Sequence, residues 1–265
     1  MTGQHAEARR FAARARARAE SGDPAGALAD YDAAIERAPA VLEWRLERGL
    51  LHYMTGGLEA AAPDFEAIQT QAPASALAAL VDGRRAEERQ GYRAALPHYD
   101  TAVQRDPACA LAYFYRALVY HKLGRLDRAI QDYTHALELD PAQAAFFSNR
   151  GNARADAGDL SGAIEDYSAA LERNAEFPFA YNNRANARQS LGDLAGALAD
   201  YDAALSLNPA YATALYNRGY CRESAGDLAG ALQDLQEFLR LTAGQDVRGK
   251  GPVERMIRSL RRRLR

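Results

Sequence analysis

Three asparagines, Asn149, Asn183 and Asn217, stand 34 residues apart. A carboxamide carries both a hydrogen-bond donor and an acceptor, the same pair that an extended peptide backbone presents. A ladder of such amides could hold a strand-like segment with little regard for its side chains. The other residue types that usually carry chemistry lack the necessary grouping. The five histidines, His5, His52, His98, His121 and His135, form no ligand-spaced pair with each other or with Cys109 or Cys221, so no metal site is expected. No glycine-rich phosphate loop occurs, and nothing adjacent in sequence would activate either cysteine as a nucleophile. Acid–tyrosine pairs such as Asp30-Tyr31 and Asp132-Tyr133 recur along the chain; recurrence is what packing requires and catalysis does not. The expectation is a protein that is not an enzyme and takes no cofactor.

The bulk composition agrees with a soluble, helical chain. Of 265 residues 48% are hydrophobic, the net charge is −2, and alanine, the best helix former, is abundant. Asp246–Arg265 holds eight Lys/Arg against two Asp/Glu, which makes this tail basic and leaves the rest acidic. Two cysteines far apart suggest no disulfide framework, and no apolar signal segment or run of 18 apolar residues occurs. A cytoplasmic location and no membrane contact are therefore expected.

The elements that would position the asparagines follow from the same 34-residue period. Pro39, Pro73, Pro107 and Pro141 share it, and Pro209 lies two periods on. Registration gives repeats at 8–41, 42–75, 76–109, 110–143, 144–177, 178–211 and 212–245. Eight positions into each stands a small residue: Ala15, Gly49, Gly83, Ala117, Gly151, Ala185 and Gly219. Twelve positions later comes an alanine: Ala27, Ala61, Ala95, Ala129, Ala163, Ala197 and Ala231. Two helices approach closely only where both lack bulk, so these pairs mark a helix crossing. Large residues flank it at one position: Tyr31, Phe65, Tyr99, Tyr133, Tyr167, Tyr201 and Leu235. Gly-Asp pairs (Gly22-Asp23, Gly158-Asp159, Gly192-Asp193, Gly226-Asp227) suit a helix stop followed by an N-cap.

Arg14, Arg48, Arg116, Arg150, Arg184 and Arg218 each precede an aspartate by sixteen residues: Asp30, Asp64, Asp132, Asp166, Asp200 and Asp234. The third repeat changes both members, to Asp82 and His98. The spacing predicts an Arg–Asp bridge across each helix pair, with reversed polarity in the third. After the array, 246–265 reads as a loop and a basic terminal helix from Pro252 whose Val253, Met256, Ile257, Leu260 and Leu264 share one face. That helix would cap a solenoid with its arginines outward.

This pattern resembles the tetratricopeptide-repeat family over residues 8–245. The resemblance implies an all-α fold: an α-solenoid of seven tandem 34-residue helix-turn-helix repeats forming a right-handed superhelix, with a C-terminal capping helix. It also implies that the first helix of each repeat lines a concave groove. On that reading repeats 2–4 present Leu46, Leu50, Tyr53, Met54, Leu77, Leu80, Val81, Leu111, Phe114, Tyr115 and Leu118. Repeats 5–7 present Asn149, Asn152, Asn182, Asn183, Asn186, Tyr216, Asn217 and Tyr220. The amide series is similar to the asparagine ladders of O-linked N-acetylglucosamine transferases, which implies peptide-backbone binding and not the transferase activity. The carboxylate clamp of co-chaperones of this family is not matched. Its cationic positions hold Ala145, Ser148, Phe179, Thr213 and Tyr216.

The function expected from sequence is a protein-interaction scaffold that binds a protein or extended peptide in the groove. No small-molecule substrate is expected, and nucleic acid only if the arginine tail anchored it. The alternative is a self-assembling structural scaffold, a homo-oligomer built by end-to-end or groove contacts.

Overall fold

The computed structural model describes residues 2–244 and 250–265. Among them are fourteen helices and no strand: α1 (Thr2–Ser21), α2 (Pro24–Arg37), α3 (Leu42–Gln71), α4 (Ala76–Gln90), α5 (Tyr92–Arg105), α6 (Ala110–Lys122), α7 (Leu126–Leu139), α8 (Ala144–Asp156), α9 (Leu160–Arg173), α10 (Pro178–Ser190), α11 (Leu194–Leu207), α12 (Ala212–Ser224), α13 (Leu228–Leu241) and α14 (Lys250–Arg263). Residues 245–249, most of the loop expected after the array, lie outside the described residues. The chain divides into two compact units, Met1–Ala157 and Gly158–Arg265.

Within each unit consecutive helices pack as hairpins, α1 on α2, α4 on α5, α6 on α7, α10 on α11 and α12 on α13. The crossing is built as the small residues require. Ala27, Ala61, Ala95, Ala129, Ala197 and Ala231 have no exposed surface, and Phe65, Tyr99, Tyr133, Tyr201 and Leu235 are fully buried beside them. Burying each such ring or leucine contributes about 2 kcal/mol. A Cβ added at Gly83 would stand 2.5 Å from the Tyr99 ring, and one at Gly219 would stand 2.9 Å from Leu235. Glycine there admits the large neighbour.

The hairpin turns follow their local chemistry. Asp23, Asp159, Asp193 and Asp227 each accept a hydrogen bond from the backbone N–H three residues on, at 2.9 Å. This satisfies one orphan donor of the second helix. The second repeat departs from this pattern. Its two helices run together as α3, broken at Gly57 (φ 78°, ψ −171°), a conformation open essentially to glycine alone. Gly57 and Gly91 sit one position later in their repeats than Gly22 or Gly192. The first helix gains a residue and the aspartate cap is lost.

Five of the Arg–Asp bridges form within single units. Arg14, Arg48, Arg116, Arg184 and Arg218 each hold their aspartate with two guanidinium nitrogens, at 2.5–2.9 Å. The swapped pair of the third repeat does not form. Asp82 instead accepts from Gln69 Nε2 at 2.7 Å. Both replacement side chains are short, and together they do not span the gap that one arginine crosses. No helix is long and apolar enough to cross a membrane among the described residues.

Candidate functional site

The first helices of the hairpins, α1, the first half of α3, α4, α6 and α8, surround an open space inside the first unit. The ring is closed where α1 meets α8: Glu20 Oε1 accepts from the Ala145 N–H at 3.0 Å. This contact joins residues 125 positions apart and caps the start of α8.

Two adjoining chambers occupy the space. One, of about 390 Å³, has apolar walls from Leu50, Leu51, Met54, Leu111, Phe114, Leu118 and Phe146. The other, of about 440 Å³, lies at the end where α4, α6 and α8 begin and is bordered by Glu43, Asp106 and Asp140. Arg16, Glu47, Leu111, Gln143 and Phe146 border both. At this shared wall Arg16 Nε meets both carboxylate oxygens of Glu47 at 3.0 Å, and its Nη2 meets Oε1 at 2.7 Å. Burial opposes the Arg16 charge, but Glu47, and behind it Tyr31 and Asp140, outweigh burial and raise its pKa.

The apolar chamber is rigid on one side and open on the other. Phe114 stacks on Phe146 with centroids 4.5 Å apart and meets Tyr115 edge-on at 5.2 Å. Met54 stands at the rim, 79% exposed. Two uncharged polar groups border the chamber with bonding capacity to spare. The Tyr115 hydroxyl makes no hydrogen bond among the described residues, and its phenol is pushed up by burial among the surrounding walls. Asn149 commits one Nδ2 hydrogen to the Ala145 carbonyl at 2.8 Å.

Of the residues singled out from sequence, Leu50, Phe114, Tyr115, Leu118 and Asn149 border this chamber together. Leu80 does not: it is 1% exposed and belongs to the core. The reason is its repeat position: the fifth residue is also buried at Ala12, Leu46, Ser148 and Asn182, where it serves packing. Tyr53 also stands apart from the chamber lining. Its hydroxyl donates to Glu88, and its ring lies 4.5 Å from the Arg84 guanidinium.

The other asparagines are engaged differently. In the second unit Asn217 Nδ2 donates to Asn182 Oδ1 at 3.0 Å, and Asn182 Nδ2 donates to Asn183 Oδ1 at 3.0 Å. Asn186 Oδ1 accepts from the buried Tyr201 hydroxyl at 2.6 Å. Much of the amide capacity there serves an internal network around Asn182, which is buried. Tyr216 and Tyr220 pair at 4.8 Å, and Tyr216 also leans on Phe238. Asn152 belongs to α8.

Sequence reasoning missed Arg16, Glu47, Phe146 and the acids of the second chamber. A signal existed for two of them: Arg16 and Glu47 occupy the ninth and sixth positions of their repeats, both groove positions.

The helical-hairpin array is matched by sequence profiles described as tetratricopeptide repeat, over 12–76, 80–144 and 182–246, and TPR repeat, over 151–192. The chain belongs to the tetratricopeptide-repeat family. Tetratricopeptide repeats are modules of protein–protein interaction, and solved structures share the fold. MamA protein matches with a TM-score of 0.57 at 19% identity, over 63% of this chain and 91% of that one. YrrB, a TPR protein, matches with a TM-score of 0.55 at 20% identity, over 68% and 93%. The Cut9-Hcn1 hetero-tetramer of APC/C matches with a TM-score of 0.74 at 18% identity, over 91% of this chain and 46% of that one. A comparison with curated proteins finds no significant match.

Proposed function

We propose that this tetratricopeptide-repeat protein is a non-catalytic scaffold that binds an extended peptide segment of a protein partner inside its first unit. The observation that carries the reading is the chamber of about 390 Å³ walled by Leu50, Met54, Leu111, Phe114, Leu118 and Phe146. A chamber of that size and lining accepts an apolar side chain, with a few polar groups to orient the chain that bears it. The Tyr115 hydroxyl and the remaining donor and acceptor of Asn149 suit backbone groups of an extended segment. YrrB, which shares the fold, is described as having an unusual peptide-binding site, and this supports the reading by analogy of fold.

Selection of a random peptide display library on the purified protein tests it. Enriched peptides should carry a leucine-, isoleucine- or phenylalanine-class anchor. Their affinity should fall at least about tenfold in a Met54→Glu, Leu118→Glu variant, because burial of the anchor is worth about 2 kcal/mol and a carboxylate would oppose it. Met54 is exposed and Leu118 is only partly buried, so the helical circular dichroism should be retained. Peptides that bind the folded variant as tightly as wild type would place recognition elsewhere.

A further inference from the structure

The two chambers differ in charge while sharing a wall. The apolar chamber is bordered by two arginines and two glutamates, which balance: Arg16 pairs with Glu47, and Arg84 meets Glu87 and the Tyr53 ring while its buried Nε–H has no hydrogen-bond partner among the described residues. The second chamber is bordered by four carboxylates, Glu43, Glu47, Asp106 and Asp140, against the single guanidinium of Arg16. Glu43 is exposed and has no partner among the described residues. Asp106 and Asp140 use one oxygen each for the turn N–H of Ala108 and Ala142, and Asp140 also accepts from Gln143.

Three helices begin at this end, and a helix N-terminus contributes roughly half a positive charge. Their effect is reduced by local capping. Ser75 caps α4 through the Ala78 N–H, and Glu20 takes the Ala145 N–H of α8. Even with the dipoles at full strength, and with Arg105, which donates to the Pro73 and Ser75 carbonyls beside the chamber, the negative charge is not cancelled. The chamber therefore favours a cation and disfavours an anion.

We infer that the peptide partner pairs an apolar anchor with a lysine or arginine four residues away, the anchor in the apolar chamber and the cation among Glu43, Asp106 and Asp140. This rests on the proposed peptide-binding role of the first unit. In an extended peptide, side chains i, i+2 and i+4 project to the same side, and i and i+4 stand about 13 Å apart. Chambers of about 390 and 440 Å³, divided by one layer of side chains, have centres about 13 Å apart, the span of i and i+4. The Arg16–Glu47 pair in that layer acts as a fixed divider. Each partner satisfies the other, so neither competes for the incoming charge.

Titration calorimetry with three capped synthetic peptides tests the inference. They share one phenylalanine anchor in a serine-rich background and carry lysine, serine or glutamate four residues after it. The lysine peptide should bind at least about tenfold more tightly than the glutamate peptide, with serine between them. Glu43→Gln with Asp140→Asn should reduce that spread to about threefold or less. The Asn keeps the oxygen that accepts from Ala142, and its new NH₂ can donate to Gln143 once that amide turns its oxygen inward, so the turn is preserved. Raising salt from about 0.05 M to about 0.5 M should compress the spread in wild type. Equal binding of all three, with loss in Met54→Glu, Leu118→Glu, would overturn the charge pairing and leave the apolar chamber standing. Tighter binding of the glutamate peptide would overturn it too. Binding unaffected by Met54→Glu, Leu118→Glu would remove the peptide site itself, and the inference with it.

Discussion

The arginine at the seventh repeat position does more than its spacing suggested. Arg184 holds Asp200 with Nε and Nη2 at 2.9 and 2.7 Å, while its Nη1 reaches back to Ser168 of the preceding repeat at 2.9 Å. Arg116 does the same with Asp132 and Asp100, and Arg218 with Asp234 and Asp202. One side chain thus ties a hairpin together and staples it to its neighbour. Asp200 is buried and also receives Arg188 at 2.7 Å. Asp200→Ala should therefore destabilise by about 3 kcal/mol, since two guanidinium groups lose a buried partner. Ser168→Ala should cost about 1 kcal/mol or less. Urea denaturation of both variants checks the ratio, and equal costs would contradict the two-way role. A pH dependence follows at Asp30. Hydrogen bonds from Arg14, reinforced by the charges of Arg14 and Arg18, hold its carboxyl below the usual carboxylate value, against the effect of burial. A depressed folded-state pKa stabilises the protein above the unfolded value of about 4 and loses that contribution as pH falls through the folded value. Stability measured from about pH 5 downward should therefore decline less steeply in Asp30→Asn than in wild type.

At the scale of elements, the hairpins were legible because one pattern recurs with its physical reasons intact: small residues at the crossing, a large residue beside them, glycine and aspartate at the turn. What the pattern could not show was its local failures. Gly56-Gly57 replaces the Gly-Asp turn, so α3 continues across Leu42–Gln71 with one break. Asp82 and His98 are complementary in type yet too short to meet. Choices of glycine over alanine at the crossing were also opaque from sequence, because they depend on how close the facing ring lies. Gly83→Ala would press a methyl into Tyr99, while Ala117 and Ala185 already carry that methyl without strain. Thermal denaturation should show Gly83→Ala costing about 1–3 kcal/mol. The reverse change, Ala185→Gly, should cost about 1 kcal/mol through helix propensity. A neutral Gly83→Ala would mean that α4 and α5 separate more easily than their packing implies.

At the scale of each unit, the candidate site was half legible. Leu50, Phe114, Tyr115, Leu118 and Asn149 were found because groove positions follow the repeat. The chambers themselves depend on α1 meeting α8 through Glu20 and Ala145, a closure of the ring that no local pattern encodes. The asparagine series looked uniform along the sequence. Its members divide in the fold between an open chamber edge at Asn149 and an internal network at Asn182, Asn183 and Asn217. The terminal helix caps the second unit as solenoid physics demands, except that Leu264, expected on its apolar face, lies past its end and is exposed. Val253, Ile257 and Leu260 of α14 are buried with Leu235 and Phe238 of α13, while Arg255, Arg258, Arg261, Arg262 and Arg265 are exposed. In such an array each element is stabilised mainly by its immediate neighbours. Removing the apolar contact of α14 by Val253→Asp, Ile257→Asp should therefore lower protection of α12 and α13 most, because Phe238 and Leu235 lose their cover. Native-state hydrogen exchange should show that loss fading through α10 and α11, the next pair inward. An equal loss across α10–α13 would mean that the second unit melts as one block, making α14 part of a single cooperative core instead of a cap on its last pair.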